Sequence, residues 1–428
     1  MQRLKVSDPG FAAAFDVLVN DRRESDTGVS ADVAAILAAI KTGGDGALAA
    51  LTAKYDGFDL GTEGWQISAQ QCQAAFDELE PNLRDALLLA AKRVSDYHAL
   101  QKPQSNSWTD DAGVSLGYRW GAVDAAGIYV PGGRAAYPSS VLMNAIPAKV
   151  AGVGRLVMVT PTPKGALNNT VLAAAHIAGV DEIWRIGGAQ AVAALAYGTQ
   201  RIKPVDVVTG PGNAWVAEAK RQLYGVVGID MVAGPSEILV VADAGNQADW
   251  IAADLLSQAE HDPTSQAILI TDSAEFADAV IAAVEEIIPT LSTAKSARAS
   301  WDNYGAVIIV DDLDQVPELV DRLAPEHLEL AIENPGAMFA QIRHAGSVFL
   351  GRHTPEAMGD YLAGPNHVLP TGRRARFSSG LSVLDFMKRT SFIGMNMDAM
   401  GRLGPAAATL ADAEGLPAHA LSVRKRLV

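Results

Sequence analysis

The stretch Gly127-Ile128-Tyr129-Val130-Pro131-Gly132-Gly133 decides the fold, because a short apolar strand runs there into a glycine-rich turn. A helical pattern follows at 141–152, and the same order of strand, turn and helix recurs along the chain. Short apolar strands that alternate with helices predict an α/β fold with parallel sheets covered on both faces. The further predicted strands lie at 156–160, 182–186, 205–209, 238–242, 267–271, 307–310 and 347–350.

These strands are too many for one compact doubly wound unit, so we predict two α/β units, divided near 123–132 and near Gly234. Before the first of these strands the apolar spacing predicts helices at 30–41 and 45–55, with a break at Gly43-Gly44 between them, and a longer helical pattern from about 68 to 100. After Gly380 the pattern is again helical and the strands stop, which predicts a small helical appendage at the C-terminus.

Composition excludes several classes of protein. Hydrophobic residues make up 49% of the 428 residues and charged residues 19%, the balance of a folded rather than a disordered chain. The net charge of −15 argues against binding to nucleic acid. Met1 to Arg22 lack a signal-peptide core, and no apolar segment reaches the roughly 18–20 residues of a membrane helix, so we expect a cytoplasmic protein without a membrane partner. Cys72 is the only cysteine, which excludes an intrachain disulfide and a thiolate zinc cluster and predicts a buried structural thiol.

Three predicted strands end in glycine-rich turns: Val130-Pro131-Gly132-Gly133, Gly187-Gly188-Ala189-Gln190 and Gly210-Pro211-Gly212-Asn213. A backbone without side chains lets N–H groups approach a phosphate, so three such turns favour a nucleotide or dinucleotide site. One such turn alone is equally typical of an ordinary connection between a strand and a helix. No strict Gly-x-Gly-x-x-Gly occurs in this context, so the dinucleotide site would be non-standard.

Four side chains suggest a metal site. Gln258 and His261 are three residues apart, so on a helix they share one face and offer an oxygen and a nitrogen. Asp360 lies in a glycine-punctuated loop, and His419 lies near the C-terminus, close to Glu414. Two nitrogens and two oxygens suit zinc better than calcium or magnesium. The alternative is a helix C-terminus at which His261 and Asp262 are only solvated end residues, since spacing alone does not bring the four predicted ligands together.

The stretch Ala324-Pro325-Glu326-His327-Leu328-Glu329 places a carboxylate beside an imidazole at the start of a short apolar run. At a turn both side chains can reach one cavity, where histidine accepts a proton near neutral pH and glutamate activates water. The alternative interpretation is that Glu326 and His327 are only two surface residues that follow a proline.

Seven longer stretches occur in order along the chain: Ile128-Tyr129-Val130-Pro131-Gly132-Gly133, Gly210-Pro211-Gly212-Asn213, Gly228-Ile229-Asp230-Met231 with Ala233-Gly234-Pro235-Ser236-Glu237, Leu256-Ser257-Gln258-Ala259-Glu260-His261-Asp262, Ala324-Pro325-Glu326-His327-Leu328-Glu329, Gly364-Pro365-Asn366-His367-Val368-Leu369-Pro370, and Ser379-Gly380-Leu381-Ser382-Val383. By these stretches the chain resembles the histidinol dehydrogenase family, whose members complete histidine biosynthesis, from about residue 30 to His419.

The resemblance implies a role for particular residues. It implies that Glu326 and His327 are the catalytic acid–base pair. It implies one zinc per subunit, with the ligands Gln258, His261, Asp360 and His419. It implies NAD contacts from Tyr129, Gln190 and Asn213. It implies substrate contacts from Ser236, Gln258, His261, His327, Asp360, Glu414 and His419.

The resemblance also implies two incomplete Rossmann-like domains with helical N- and C-terminal extensions, in a homodimer that exchanges its termini. Glu414 and His419 would then complete the partner subunit's site. The expected division is an N-terminal extension (1–27), a discontinuous first domain with the metal and catalytic residues (28–126 and 236–380), a second domain on the NAD side (127–235) and a C-terminal extension (381–428).

The implied reaction is a four-electron oxidation of L-histidinol through L-histidinal to L-histidine with two NAD. One alternative is a relative that oxidises another polar alcohol, such as a sulfonated diol, although the Glu414 carboxylate would repel a sulfonate. A second alternative is a catalytically silent protein that binds metal and nucleotide. A silent protein is disfavoured because the chain retains Glu326, His327 and all four presumed metal ligands.

Overall fold

The computed structural model describes residues 1–21, 27–132 and 137–427, so Gly133 of the first glycine-rich turn lies outside the described residues. The strands are β1 (Gln2–Lys5), β2 (Gln66–Ile67), β3 (Asn106–Thr109), β4 (Ser115–Ala122), β5 (Ala125–Tyr129), β6 (Arg155–Val159), β7 (Glu182–Trp184), β8 (Val207–Thr209), β9 (Gly228–Ile229), β10 (Glu237–Ala242), β11 (Gln266–Thr271), β12 (Ala306–Ile309), β13 (His327–Ala331), β14 (Ser347–Leu350) and β15 (Met387–Gly394). The helices are α1 (Phe11–Asn20), α2 (Ser30–Asp56), α3 (Leu60–Glu63), α4 (Ala69–Asp77), α5 (Pro81–Ala99), α6 (Pro138–Ala151), α7 (Asn169–Ile177), α8 (Gly188–Tyr197), α9 (Ala214–Leu223), α10 (Ala248–Ala259), α11 (Ala274–Ile287), α12 (Ala294–Tyr304), α13 (Val316–Leu323), α14 (Pro335–Phe339), α15 (Ala357–Tyr361), α16 (Met397–Ala413) and α17 (Pro417–Arg424).

Two parallel sheets form the centre of the molecule. The first sheet has the strand order β1-β12-β11-β10-β13-β14 and is parallel throughout. The second has the order β2-β7-β6-β5-β8-β9, and only the short edge strand β2 runs antiparallel. The predicted α/β fold with parallel sheets is confirmed.

Both faces of the first sheet are buried, and this explains why its strands are apolar throughout. Ile238 and Val240 of β10 enter a core shared with α10, α11 and α12, whereas Leu239 and Val241 enter a core shared with α1 and α13. Successive strand residues point to opposite faces, so a sheet covered on both sides needs apolar residues at every position.

The helices between residues 30 and 99 pack on the second sheet. Val33 and Ile36 of α2 share a core with Val157 and Leu195, and α4 and α5 pack against α7 and α6. This packing places residues 30–99 with the second sheet, whereas the expected first domain combined residues 28–126 with residues 236–380. Residues 30–99 contain only the two-residue strand β2, so the sequence offers too little strand pairing to indicate which sheet these helices cover. The domain boundaries stay a proposal, now with these helices in the second unit.

Helix α2 is long and apolar enough to cross a membrane by length and composition alone, whereas the sequence analysis expects no such segment. The helix bends at Gly44, which has a φ of 52°, so the predicted break between two helices is a kink. Val33, Ile40 and Leu48 are buried in the core of the second sheet. Packing within the molecule therefore accounts for the apolar face of α2.

A third, antiparallel sheet joins the C-terminal region to the middle of the chain, with the strand order β15-β4-β3. The expectation that strands stop after Gly380 is wrong, because β15 follows that residue. Most of β15 is exposed, so it carries none of the apolar alternation from which a strand is predicted. The N-terminal extension is not purely helical either, because β1 pairs with β12 at the edge of the first sheet.

Candidate active site

A cavity of about 760 Å³ lies between the two parallel sheets. Ser236 and His327 reach it from the amino ends of β10 and β13 in the first sheet, whereas Gly210 reaches it from the carboxyl end of β8 in the second. The structure thus brings together seven of the predicted site residues as lining of this cavity: Asn213, Ser236, Gln258, His261, Glu326, His327 and Asp360.

A single residue, Glu237, holds both members of the predicted acid–base pair through its backbone. Its N–H donates a hydrogen bond of 2.9 Å to Oε2 of Glu326, and its carbonyl oxygen lies 3.0 Å from Nδ1 of His327. A carbonyl oxygen only accepts hydrogen bonds, so Nδ1 carries the proton and Nε2 of the neutral imidazole keeps its lone pair. Nε2 is buried and has no hydrogen-bond partner within the described part of the chain.

A turn with strained backbone geometry places Glu326 and His327 at the cavity. Helix α13 ends at Leu323, and Ala324 follows in the left-handed conformation with a φ of 42°. This conformation is uncommon outside glycine, and Pro325 then prevents the helix from continuing. Glu326 lies just before β13 and His327 is its first residue, so both side chains reach one cavity, as predicted for a turn.

Burial shifts the pKa values of both catalytic candidates in directions that suit proton transfer. Desolvation lowers the pKa of His327 below its ordinary 6.5, which keeps the imidazole neutral and able to accept a proton. Desolvation raises the pKa of Glu326 well above its ordinary value, and the nearby carboxyl groups of Glu237, Asp360 and Glu356 raise it further. A carboxyl group with a raised pKa is a stronger general base than an exposed one.

Three of the four predicted metal ligands, Gln258, His261 and Asp360, meet at the same cavity. Nε2 of Gln258 lies 3.0 Å from Nδ1 of His261, at the C-terminal end of α10. Oε1 of Gln258 is buried and has no hydrogen-bond partner among the described residues. Asp360 lies on α15, and Nδ1 of His367 is 3.7 Å from its Oδ1. An unpaired amide oxygen, an imidazole and a carboxylate fit a transition-metal ion.

Glu356 is a site residue that the sequence analysis missed. Its Oε1 lies 3.6 Å from Nε2 of His327, and its Oε2 accepts a hydrogen bond of 3.0 Å from the hydroxyl of Ser257. Ligand atoms of His327, Glu356 and Asp360 all lie within 4.8 Å of one another, a grouping that could hold a metal ion. Glu356 and Asp360 are four residues apart, so the helical spacing that singled out Gln258 and His261 would also have found Glu356.

The residues predicted to contact NAD lie along the second sheet. The hydroxyl of Tyr129 accepts a hydrogen bond of 3.0 Å from the N–H of Gly188, which ties β5 to the start of α8, and burial raises the Tyr129 pKa to about 12. Gln190 is buried in the first turn of α8. Asn213 caps α9 by accepting hydrogen bonds from two backbone N–H groups and lines the cavity. Of these three, only Asn213 is part of the cavity lining.

Two predicted residues lie elsewhere on this chain. Glu414 follows α16, His419 lies in α17, and both are exposed to solvent. Neither lines the described cavity. One chain therefore brings only three of the four predicted metal ligands to this cavity. Cys72 is buried in α4, where desolvation raises its pKa to about 11, as expected for a structural thiol.

The fold and the site define an α/β enzyme whose buried acid–base pair adjoins a group of candidate metal ligands. Comparison with known proteins then identifies the family: the family model for histidinol dehydrogenase matches residues 19–427, and the chain belongs to that family. It is therefore an oxidoreductase, and the resemblance stated from its motifs is confirmed.

Curated relatives and a solved structure agree with this assignment. The chain is 65% identical over 417 residues to histidinol dehydrogenase of Zymomonas mobilis, covering 97% of each protein. It is 61% identical to that of Rhodospirillum rubrum, covering 99% of this chain and 98% of the relative. The crystal structure of histidinol dehydrogenase from Elizabethkingia anophelis superposes with a TM-score of 0.94 at 34% identity, covering 100% of this chain and 98% of the other.

Proposed function

We propose that the chain is a zinc-dependent histidinol dehydrogenase, which oxidises L-histidinol through L-histidinal to L-histidine with two NAD, the last step of histidine biosynthesis. The observation that carries this proposal is the common anchoring of Glu326 and His327 on Glu237, beside Gln258, His261 and Asp360 in one cavity. A member of this family with an intact acid–base pair is expected to be active.

His327 is the base of the alcohol step. His327 lines the cavity and its Nε2 has no hydrogen-bond partner among the described residues, so this nitrogen accepts the substrate hydroxyl proton as hydride departs. Burial keeps the imidazole neutral before this transfer. Glu356, 3.6 Å from Nε2, lies where a negative charge would stabilise the imidazolium that forms. Bound NAD supplies the hydride acceptor for each oxidation.

Glu326 is the base of the aldehyde step. Its carboxyl group is buried, and its Oε2 is oriented by the Glu237 N–H at 2.9 Å. The raised pKa of Glu326 lets the carboxylate take a proton from the water that hydrates the aldehyde. Hydration is required because an aldehyde has no hydroxyl to deprotonate before the second hydride leaves. No cysteine nucleophile is involved, in agreement with the buried Cys72.

Zinc would be held by Gln258, His261 and Asp360 together with His419 of the partner subunit. When bound, the ion supplies a fixed point that orients the amino and imidazole nitrogens of the substrate. Ser236 of this chain and Glu414 of the partner subunit would complete the substrate site. The NAD side would be formed by Tyr129, Gln190 and Asn213.

A homodimer explains why Glu414 and His419 lie outside the cavity of their own chain. Helices α16 and α17 leave large apolar side chains on the surface: Met397 is 80% exposed, Leu410 66% and Leu421 54%. Exposed apolar side chains clustered on one segment are typical of a protein interface. The segment that carries Glu414 and His419 is therefore suited to pack on a second copy of the chain.

Mixing two inactive variants tests the shared site. His327→Ala and His419→Ala should each be inactive, but a dimer of one of each contains one intact site. Random mixing by co-expression should restore about a quarter of the wild-type activity, since half of the dimers are mixed and each has one intact site of two. No recovery in a mixture that contains the mixed dimer would contradict the exchange.

Product analysis tests the reaction itself. Incubation with L-histidinol and NAD should yield L-histidine without accumulation of the free aldehyde. Oxidation of a sulfonated diol but not of L-histidinol would support a relative with another substrate. Metal binding without turnover of either alcohol would support the silent protein. Cytoplasmic location and the absence of nucleic-acid and membrane partners stay predictions from the sequence.

A further inference from the structure

A buried ion pair between Lys220 and Asp230 lies on the second-sheet side of the cavity. Lys220 belongs to α9, and Asp230 directly follows β9. Their side chains are only 2% and 1% exposed, and the Lys220 ammonium contacts Oδ1 of Asp230. Both residues line the cavity. Burying two charges costs solvation energy that a pair of apolar side chains would not cost, so their presence calls for another explanation than stability.

The ion pair is hydrogen-bonded to both backbone polar groups of Gly210, its carbonyl oxygen and its N–H. Nζ of Lys220 donates a hydrogen bond of 3.0 Å to the Gly210 carbonyl oxygen, and Oδ2 of Asp230 accepts one of 2.9 Å from the Gly210 N–H. Gly210 has a φ of 112°, and a Cβ there would collide with the carbonyl oxygen of Tyr129. The chain therefore adopts a conformation at Gly210 that only glycine accepts readily, and the ion pair fixes it from both sides.

The fixed conformation of Gly210 affects the cavity, because the residues that follow Gly210 form part of the cavity wall. Gly210, Pro211, Gly212 and Asn213 all line the cavity, and Asn213 caps α9, the helix that carries Lys220. Asp230 in turn begins the connection that leads to Ser236 and the first sheet, and its Oδ1 accepts a hydrogen bond of 2.7 Å from the Met231 N–H. The pair thus links the turn on the second sheet to the segment that leads to the substrate side.

We propose that Lys220 and Asp230 are positioning residues that hold the Gly210–Asn213 turn in the shape required to bind the dinucleotide. This inference rests on the proposed use of NAD. The two residues act through the backbone of Gly210, to which both are hydrogen-bonded. Their loss should weaken binding of the dinucleotide while it leaves the substrate and metal side intact.

The test compares Lys220→Met and Asp230→Asn with wild type in the full-length, zinc-loaded enzyme. Met removes the donor to the Gly210 carbonyl, whereas Asn keeps an acceptor for the Gly210 N–H and removes only the charge. Arg155→Met is the matched control, because Arg155 and Glu182 form an ion pair on the same sheet, at 2.6 Å, outside the cavity. The readouts are KM for NAD, KM for L-histidinol, zinc content and the affinity for NADH by fluorescence titration.

Lys220→Met should raise KM for NAD and the Kd for NADH by about tenfold or more, because small displacements of a binding element have large effects. KM for L-histidinol and the zinc content should stay within about twofold of wild type. Asp230→Asn should show the same pattern with a smaller effect, and Arg155→Met should show none.

Equal increases in both KM values, or an NADH affinity unchanged in a folded variant, would overturn the proposal. Failure of both variants to fold would also overturn it, since the pair would then serve stability alone. If wild type reduces no NAD with L-histidinol, the proposed function fails, and the NADH titration still reports on the turn separately.

Discussion

Nδ1 of His327 lies 3.0 Å from the backbone carbonyl oxygen of Glu237, while the N–H of the same Glu237 binds Glu326 at 2.9 Å. One peptide segment at the amino end of β10 therefore fixes the positions of both catalytic candidates and the tautomer of the imidazole. Because these are backbone contacts, no side-chain substitution at Glu237 removes them directly. The arrangement predicts separable roles for the base of the alcohol step and the base of the aldehyde step.

His327→Ala should lower kcat by roughly 10²- to 10⁴-fold, the usual contribution of a positioned general base. The pH profile of the wild-type enzyme gives a second test. Because burial lowers the His327 pKa below 6.5, protonation should inactivate the base only at pH values below that of an ordinary histidine. The acidic limb of kcat/KM should therefore lie below pH 6.5 and should vanish in the residual activity of His327→Ala. A limb centred above pH 7 would contradict this assignment.

Glu326→Gln should slow the oxidation of added L-histidinal more than hydride transfer from L-histidinol. The amide keeps an oxygen that can accept the hydrogen bond from the Glu237 N–H, but it is too weak a base to activate water. Single-turnover kinetics separate the two half-reactions. Equal slowing of both would show that Glu326 does not act specifically in hydration.

His261→Ala should lose both bound zinc and activity, because it removes one of the three predicted metal ligands that line the cavity. His353→Ala is the matched control, since His353 is exposed and its ring lies against Trp250, 5.7 Å away between centroids. Metal content by elemental analysis and turnover of L-histidinol are the two measurements. Full activity of His261→Ala without bound metal would disprove the ligand assignment.

Glu329→Gln should change how stability depends on pH. Burial, and then the charge of nearby Asp254, raises the pKa of Glu329 above its ordinary 4.5. A carboxyl group whose folded-state pKa is raised favours folding while it is protonated, so this stability is present in acid and is lost as the pH rises from 4.5 toward the folded value.

The wild-type Tm should therefore fall between about pH 6 and about pH 9, and Glu329→Gln should reduce that fall by the equivalent of up to about 4 kcal/mol, because a folded pKa of about 10 costs about 1.4 kcal/mol for each pH unit in this range. Thermal unfolding at several pH values measures the difference between the two proteins. The same pH dependence in both would mean that Glu329 does not hold the proton.

Much of the fold could be predicted because the central strands are buried on both faces. Buried strands such as β10 and β11 are continuous apolar runs, and helices separate most of them. The exposed strand β15 carries no such signal, and its pairing with β4 depends on contacts distant in sequence. The placement of α2 on the second sheet likewise depends on tertiary packing that the helical pattern does not encode.

The site could be predicted in part, because spacing along a helix or a turn places neighbouring residues together. Gln258 with His261 and Glu326 with His327 are pairs of this kind, and both line the cavity. Glu356 and the Lys220–Asp230 pair are not among the residues predicted from the sequence. Asp230 lies in the quoted stretch Gly228–Met231, but its pairing with Lys220 joins two elements through Gly210, and only the structure shows that the two charges are buried together.

The most direct measurement is the yield of NADH per L-histidinol consumed, with and without removal of metal. We expect a yield of about two NADH per L-histidinol, lost on chelation and restored by zinc, because a single site carries both oxidations. A yield of about one would mean that the aldehyde leaves after the first oxidation, and a yield unaffected by chelation would exclude the metal from the reaction; either result would contradict a zinc-dependent four-electron oxidation at one site.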